Sequence, residues 1–228
     1  MKKVILSFDD GSVEDEKLVG ILQRYSYTCT LFVPKNNREG RKTISKSLLR
    51  DLSTQVEIGS HTLNHTYLTD ISFESAIEEV WAGHYYIEDA TGQKSNKFCY
   101  PGGKYTSELD YKIKTKIKYR RTTENFRLSV VDETLMPTFL QFYPHNRLTY
   151  FRNIIRNMAF SKIKFLGKPN FKQILKKTIQ KASDNHVFHI WGHSWEIEEQ
   201  YLWSDFIDFL NFCKDQNISV CAIGDLYK

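Results

Sequence analysis

The chain has 228 residues, of which 41% are hydrophobic and 26% charged, and its net charge is +5. This excludes a disordered chain and allows a sizeable core in one large domain; no stretch approaches the ~18 apolar residues of a membrane span. The basic residues lack interleaved aromatics, which argues against nucleic-acid binding, and Cys29, Cys99, Cys213 and Cys221 form no C-x-x-C pair that would signal a metal finger or redox site.

Strand-like and helix-like patterns alternate along the chain. The start, "MKKVILSFDD", has an apolar run too brief for a secretory signal and reads as a strand. Together with unpaired cysteines it sets the expectation of a cytoplasmic location. A helix is predicted around residues 15–25, with Leu18, Ile21, Leu22 and Tyr25 on one face. "CTLFVP" is a strand, "RKTISKSLLRDL" a helix and "QVEIGSH" a strand. A long helix begins near Ser72, carries acidic residues in its first turns and stops at Gly92. "KFCYPGG" is a strand running into a turn, "SELDYKIKTKI" a helix and "KYRRTT" a strand. Residues 126–148, with Pro137 and Pro144, are irregular. Two helices follow, then the strand "HVFHIWGH", a helix through Leu202, Phe206, Phe209, Leu210 and Cys213, and a last strand "ISVCAI". Lys162, Lys164, Lys168, Lys172, Lys176, Lys177 and Lys181 crowd one stretch, where Phe171, Ile174, Leu175, Ile179 and Ala182 recur at helical spacing. The plain interpretation is the solvated face of a helix; the functional one is attraction to an anionic surface, either peripheral contact with a membrane leaflet or an acidic polymer. Regular alternation argues for a single-domain α/β fold over residues 1–228, its mostly parallel sheet curled into a TIM-like (β/α) barrel.

In such barrels the chemistry sits where strands end, and the polar motifs fall there. "SFDDG" ends the first strand. Asp10-Gly11 suits a turn, but Asp9 beside it is unexplained, because two adjacent carboxylates repel unless a cation or a shifted pKa relieves them. "SHTLNH" ends the third strand, and one helical turn would set His61 and His65 on one face, as a metal requires. "YPGG" ends the fourth strand and "HIWGHSWE" places His193 just past a late one. Two imidazoles and one carboxylate make a three-ligand site with open positions for zinc or a similar divalent ion. The second aspartate can then act as a general base, and a histidine across the pocket can protonate a departing amine. These parts fit hydrolysis of an amide or ester.

The motifs "SFDDG", "SHTLNH", "CYPGG", "RRTT" and "HIWGHSWE" resemble, in order and approximate spacing, those of the polysaccharide deacetylases, the NodB homology group of carbohydrate esterase family four. The resemblance covers nearly the whole chain. It implies a distorted (β/α) barrel and a metal-dependent hydrolase that removes acetyl groups from an N-acetylated carbohydrate. It makes Asp9 the base, Asp10, His61 and His65 the ligands of one divalent ion (zinc first, cobalt or nickel as alternatives), and His193 the acid. The backbone amide of Tyr100 would support the oxyanion. Many members carry an arginine where Cys99 stands here, so Arg121 is the candidate replacement to steer Asp9, against the alternative of a surface arginine. The usual acidic-tryptophan motif behind the acid histidine is not recognisable, which leaves Asp225 and Glu196 as candidate partners of His193. Substrate contacts are expected from Pro101, Gly102 and Trp191, with Trp195 open. His145 could reach the cleft, although an ordinary loop position suits it better. His189 reads as a support or core group, and His84 and His186 as structural. Two rivals stand beside this reading: deformylation or deacetylation of a lipid-linked sugar at the inner membrane face, and a catalytically inactive carbohydrate-binding relative.

Overall fold

The computed structural model describes residues 2–127, 134–146, 149, 171–182 and 186–227. β1 (Lys3–Asp9) is buried beyond its first residue, as a parallel strand covered on both faces should be. One edge of β1 pairs with β8 (Val187–Gly192) from Lys3 to Phe8. The other edge is shared, with β9 (Ser219–Cys221) against Lys3–Ile5 and β2 (Thr30–Val33) against Ser7–Asp9. From β2 the sheet continues through β3 (Glu57–Ser60), β4 (Lys97–Cys99), β5 (Tyr119–Arg121) and β6 (Leu135–Met136), and β7 (Leu140–Gln141) lies outside β8. Every ladder is parallel.

β6 and β7 are the two ends of the sheet, yet they belong to one short stretch broken at Pro137, which has no N–H for a ladder. Past it, the Phe139 N–H donates to the His189 carbonyl at 2.7 Å. That bent stretch closes the ring and makes the expected α/β barrel a distorted one. It falls where the sequence reads as irregular.

The outer layer is α1 (Asp15–Gln23), α2 (Lys46–Leu52), α3 (Phe73–Thr91), α4 (Ser107–Ile113), α5 (Phe171–Lys181), α6 (Ser194–Glu199) and α7 (Trp203–Asp215). α2 starts later than "RKTISKSLLRDL" suggests, because the Ser45 side chain accepts from the Leu48 N–H and sets the first turn there. α3 keeps its predicted limits, from the Ser72 cap to Gly92 at φ 72°. α6 was not expected. The first of the two helices predicted after residue 148 lies outside the described residues, as do Lys162, Lys164 and Lys168. The remaining lysines of that stretch ride on α5 above buried Phe171, Ile174, Leu175 and Ile179, the solvated-face arrangement. Among the described residues no helix is long and apolar enough to cross a membrane.

The strand period of two sorts β1 into two environments. Val4, Leu6 and Phe8 pack outward with Leu18, Leu22, Phe206 and Phe209. Ile5 packs inward with Phe32, Cys99, Met136 and Val187. Ser7 and Asp9 continue the inward row: the Ser7 hydroxyl meets His189 Nε2 at 2.8 Å, and Asp9 meets Arg121. The barrel interior thus passes from apolar to polar to ionic as it nears the mouth formed by the carboxyl ends of the strands.

Candidate active site

Past Asp9 the chain reverses through Asp10 at φ 77° and Gly11 at φ 58°. Aspartate tolerates the left-handed region, and Gly11 is required there, since a Cβ would lie 2.6 Å from Val33 Cγ1. The turn leaves Asp9 inside the barrel and lifts Asp10 to its mouth. His61 and His65 follow β3, but not on the helical turn expected from their spacing. Thr62 and His65 are left-handed, at φ 64° and 55°, and the segment is a folded loop. Its shape comes from outside. The Leu63 N–H donates to the Glu79 carbonyl at 3.1 Å, and the Asn64 N–H and side-chain amide donate to the Glu79 carboxylate at 3.0 and 2.6 Å. α3 can approach only because Gly83 has no side chain; a Cβ would lie 2.4 Å from the Thr62 carbonyl carbon.

His61 Nδ1 donates to the Cys99 carbonyl at 2.8 Å, which leaves the Nε2 lone pair free. Burial lowers its pKa to about 4 against the opposing pull of Asp9, so the ring is neutral. His65 Nε2 and His61 Nε2 lie 3.2 and 3.7 Å from Asp10 Oδ1. That oxygen is buried without a hydrogen-bond partner among the described residues. The ligand atoms of Asp10, His61 and His65 fall within 4.8 Å of one another, and converging lone pairs of this kind suit one divalent cation. The ligand atoms of Asp9, His61 and Cys99 also lie within 4.8 Å of one another, but Asp9 is engaged by Arg121 and burial holds the Cys99 thiol well above its ordinary pKa.

Asp9 has a different set of partners. Arg121, wholly buried, pairs with Asp9 Oδ2, and the Cys99 thiol contacts the same oxygen at 3.7 Å. Burial would raise the Asp9 pKa, but the Arg121 charge, followed by His61 and His193, holds it below the ordinary value. Asp9 Oδ1 has no partner among the described residues. Asp9 is therefore an ionised carboxylate with one oxygen anchored and one open.

His193 caps α6 from the end of β8. Its Nδ1 donates to Glu196 Oε2 at 2.7 Å, and its Nε2 lies 3.8 Å from Asp10 Oδ2. Burial lowers its pKa, but the Glu196 hydrogen bond and the charges of Asp10, Glu196 and Asp9 outweigh this and raise it to about 9. Glu196 is thus the orienting partner; Asp225 instead accepts from the Ala222 N–H. Gln141 donates to Glu196 at 2.8 Å, and His145 Nε2 donates to Gln141 Oε1 at 2.8 Å. His145 therefore bears on the site through Gln141 and Glu196. Trp191 is 8% exposed and packs edge-on to His193 with the Arg121 guanidinium 4.8 Å from its ring centroid, so it stands between Arg121 and His193. Trp195, left open above, stacks on His193 and donates its indole N–H to Asp10 Oδ2 at 3.0 Å. It fixes the carboxylate so that Oδ1 faces the histidines. His189 is neutral core, its pKa lowered by burial to about 3.

The fourth-strand motif departs from expectation. The Tyr100 N–H donates to the Arg121 carbonyl at 3.2 Å, so it is committed to the sheet and does not fit the oxyanion role. The Tyr100 side chain is buried on Asp110. Pro101 is buried, and Gly102, at φ 61°, is exposed at the rim against Tyr67.

The parallel barrel carries at its mouth a two-histidine, one-carboxylate cluster flanked by the ionised Asp9 and by His193, and the family follows from the chain itself. The polysaccharide deacetylase model matches residues 1–120, more than half of the chain, which belongs to that family. Among solved structures, the peptidoglycan deacetylase PdaC from Bacillus subtilis aligns at a TM-score of 0.60 and 17% identity, over 99% of this chain and 90% of that one. A family 4 acetyl xylan esterase from Clostridium thermocellum, in complex with a cobalt ion, aligns at 0.62 and 14%, over 100% and 90%. A CE4 family pseudoenzyme from Bacillus anthracis aligns at 0.58 and 16%, over 100% and 66%. At these identities the likeness is one of fold. A search of curated proteins finds no match.

Proposed function

We propose that the protein is a metal-dependent N-deacetylase of a carbohydrate. The observation that carries this reading is the division of labour between adjacent carboxylates: Asp10 faces His61 and His65, whereas Asp9 is held ionised by Arg121. Asp10, His61 and His65 would hold the cation, which when bound activates water and polarises the acyl carbonyl. Zinc suits this donor set, with cobalt or nickel as alternatives.

Asp9 Oδ1 takes the proton of the attacking water, and Arg121 keeps Asp9 ionised and aimed. His193 Nε2 gives a proton to the amine nitrogen as the C–N bond breaks, while Glu196 holds Nδ1. Water and amide become carboxylate and amine, with the proton passing from one face of the cleft to the other. Trp191 keeps bulk water from between the two groups. The presence of Asp9, Asp10, His61, His65 and His193, each with a partner, supports a working enzyme over an inactive relative.

The test is zinc-loaded protein assayed for acetate release on a panel of N-acetylated glycans, beside His61→Ala and Asp9→Asn. His61→Ala should lose metal and turnover. Asp9→Asn should keep the metal and lose about 10²–10⁴-fold in rate, the usual contribution of a general base. Full metal occupancy in His61→Ala, or unimpaired turnover in Asp9→Asn, would overturn the assignment.

A further inference from the structure

Tyr67 stands two residues beyond His65, its ring centroid 6.3 Å from the imidazole centroid, half-buried at the rim. Two cations press on this ring. The Arg38 guanidinium carbon lies 4.5 Å from its centroid and the Lys104 ammonium 4.3 Å. Arg38 comes from the loop after β2 and Lys104 from just past the Pro101–Gly103 turn. The two loops are held against the metal-ligand segment. The Asn36 N–H donates to the Leu63 carbonyl at 2.9 Å, and its side chain to Asn64 Oδ1 at 2.8 Å. On the other side a Cβ on Gly102 would lie 3.1 Å from the Tyr67 ring, so that turn packs directly on it.

Both cations are exposed, and neither has an ion-pair partner among the described residues. Elsewhere cations pair with carboxylates, as Lys17 with Glu198 and Arg41 with Glu199, or lie on a ring, as Lys114 on Tyr111 and Lys116 on Trp81; where Lys97 and Lys118 share Tyr119, Lys97 is also paired with Glu57. A cation on a tyrosine face is worth roughly 0.5–1 kcal/mol when exposed. That accounts for one such contact. It does not account for two like charges, on long flexible stems free to separate, meeting on one ring beside a metal ligand. An anion placed at the ring edge would be attracted by both and would remove their mutual repulsion.

We infer that Tyr67, Arg38 and Lys104 form a subsite for an anionic group of the substrate, a phosphate or a carboxylate on the N-acylated sugar or on its neighbour. This rests on the deacetylase reading above and narrows its substrate class to charged glycans. The ring holds the two cations side by side, and they bracket a negative group that the sugar carries to the ring edge. A neutral glycan lacks that attraction.

The experiment compares zinc-loaded protein on three N-acetylated substrates: a neutral chitooligosaccharide, an oligosaccharide alternating N-acetylglucosamine with a uronate, and N-acetylglucosamine 1-phosphate. kcat/KM is measured at low and high ionic strength, and binding of each glycan by calorimetry. At least one anionic substrate should be preferred, and the preference should shrink with salt. Arg38→Gln and Lys104→Gln should each weaken its binding roughly 2–5-fold, as exposed charge pairs do, and together bring the anionic-to-neutral ratio near one. Preference for only the phosphate or only the uronate identifies which anion is read. Equal use of charged and neutral glycans at low salt, or a preference that survives the double variant, would overturn the subsite. Absence of turnover on all three with charge-dependent binding intact would overturn the deacetylase reading and leave the subsite standing.

Discussion

Removing either member of the Asp9–Arg121 pair should cost far more than removing both. The Arg121 side chain is 0% exposed and that of Asp9 4%, so neither charge retains useful hydration. Two unit charges about 4 Å apart attract by about 4 kcal/mol at an effective dielectric constant near 20, which offsets much of the desolvation of each. Asp9→Asn leaves a buried guanidinium without a counter-charge, and Arg121→Met leaves a buried carboxylate without one. Each should lose about 3–5 kcal/mol, a large share of the stability of an ordinary domain. In the double variant the pair becomes an amide and a thioether of similar bulk, and the loss should be smaller than either single loss. The assay is urea unfolding of metal-free protein followed by tryptophan fluorescence, to which Trp191 contributes through its contact with Arg121. The double variant should recover stability while recovering no turnover, because no base remains. Single losses that add to within about 0.5 kcal/mol would mean that the two groups are energetically independent, and would refute the pairing.

Asp15 supplies a pH test. It is fully buried with Ser194 donating to it at 2.6 Å, and burial, opposed by that bond, raises its carboxyl to about 8. The folded chain therefore holds this proton to higher pH than the unfolded chain, whose aspartate titrates near its ordinary ~3.9. Stability contributed here falls as pH rises from about 4 to about 8, by about 1.4 kcal/mol per unit, and is level above. Asp15→Asn abolishes that slope, so its advantage over wild type should widen from pH ~5 to pH ~8 in urea titrations; a constant gap would refute the assignment. Gly83→Ala should raise helix stability by nearly 1 kcal/mol on propensity alone. With Thr62 in the way it should instead destabilise the chain and weaken zinc affinity about 10–100-fold in a chelator competition, and unchanged affinity with raised stability would show that α3 does not position the ligand loop.

The positions of the candidate site groups were legible because each motif occupies a strand end, and a parallel barrel puts all such ends on one rim. Asp9, Asp10, His61, His65 and His193 could be placed from that rule alone. The shape of the His61–His65 loop could not, since it depends on Glu79 and Gly83 of a helix more than a dozen residues away, and spacing of four suggests a helical turn by default. Glu196 was within reach of the sequence only as an unproved partner, because its contact needs the short helix α6 that turns it back onto His193. Gln141 gave no signal: it sits in the stretch that closes the ring, and that closure depends on hydrogen bonds to β5 and β8. Trp195 read equally well as core or pocket, and only its indole N–H on Asp10 decides.

The exchange at Cys99 shows how the barrel preserves a charge while moving its source. The resemblance places an arginine at the end of β4, where this chain has a cysteine. Cys99 and Arg121 are register partners across the β4–β5 ladder, so their side chains leave neighbouring strands at the same height. A guanidinium moved sideways by one strand is longer than the step it must cross, and it reaches the same carboxylate from the adjacent wall. The move has a steric condition. With a long side chain at residue 99, the space through which Arg121 reaches Asp9 would be filled, and Cys99 is small enough to leave it open while its thiol still touches Asp9 Oδ2. The small residue and the displaced arginine are therefore one feature, and the Asp9–Arg121 pair depends on both.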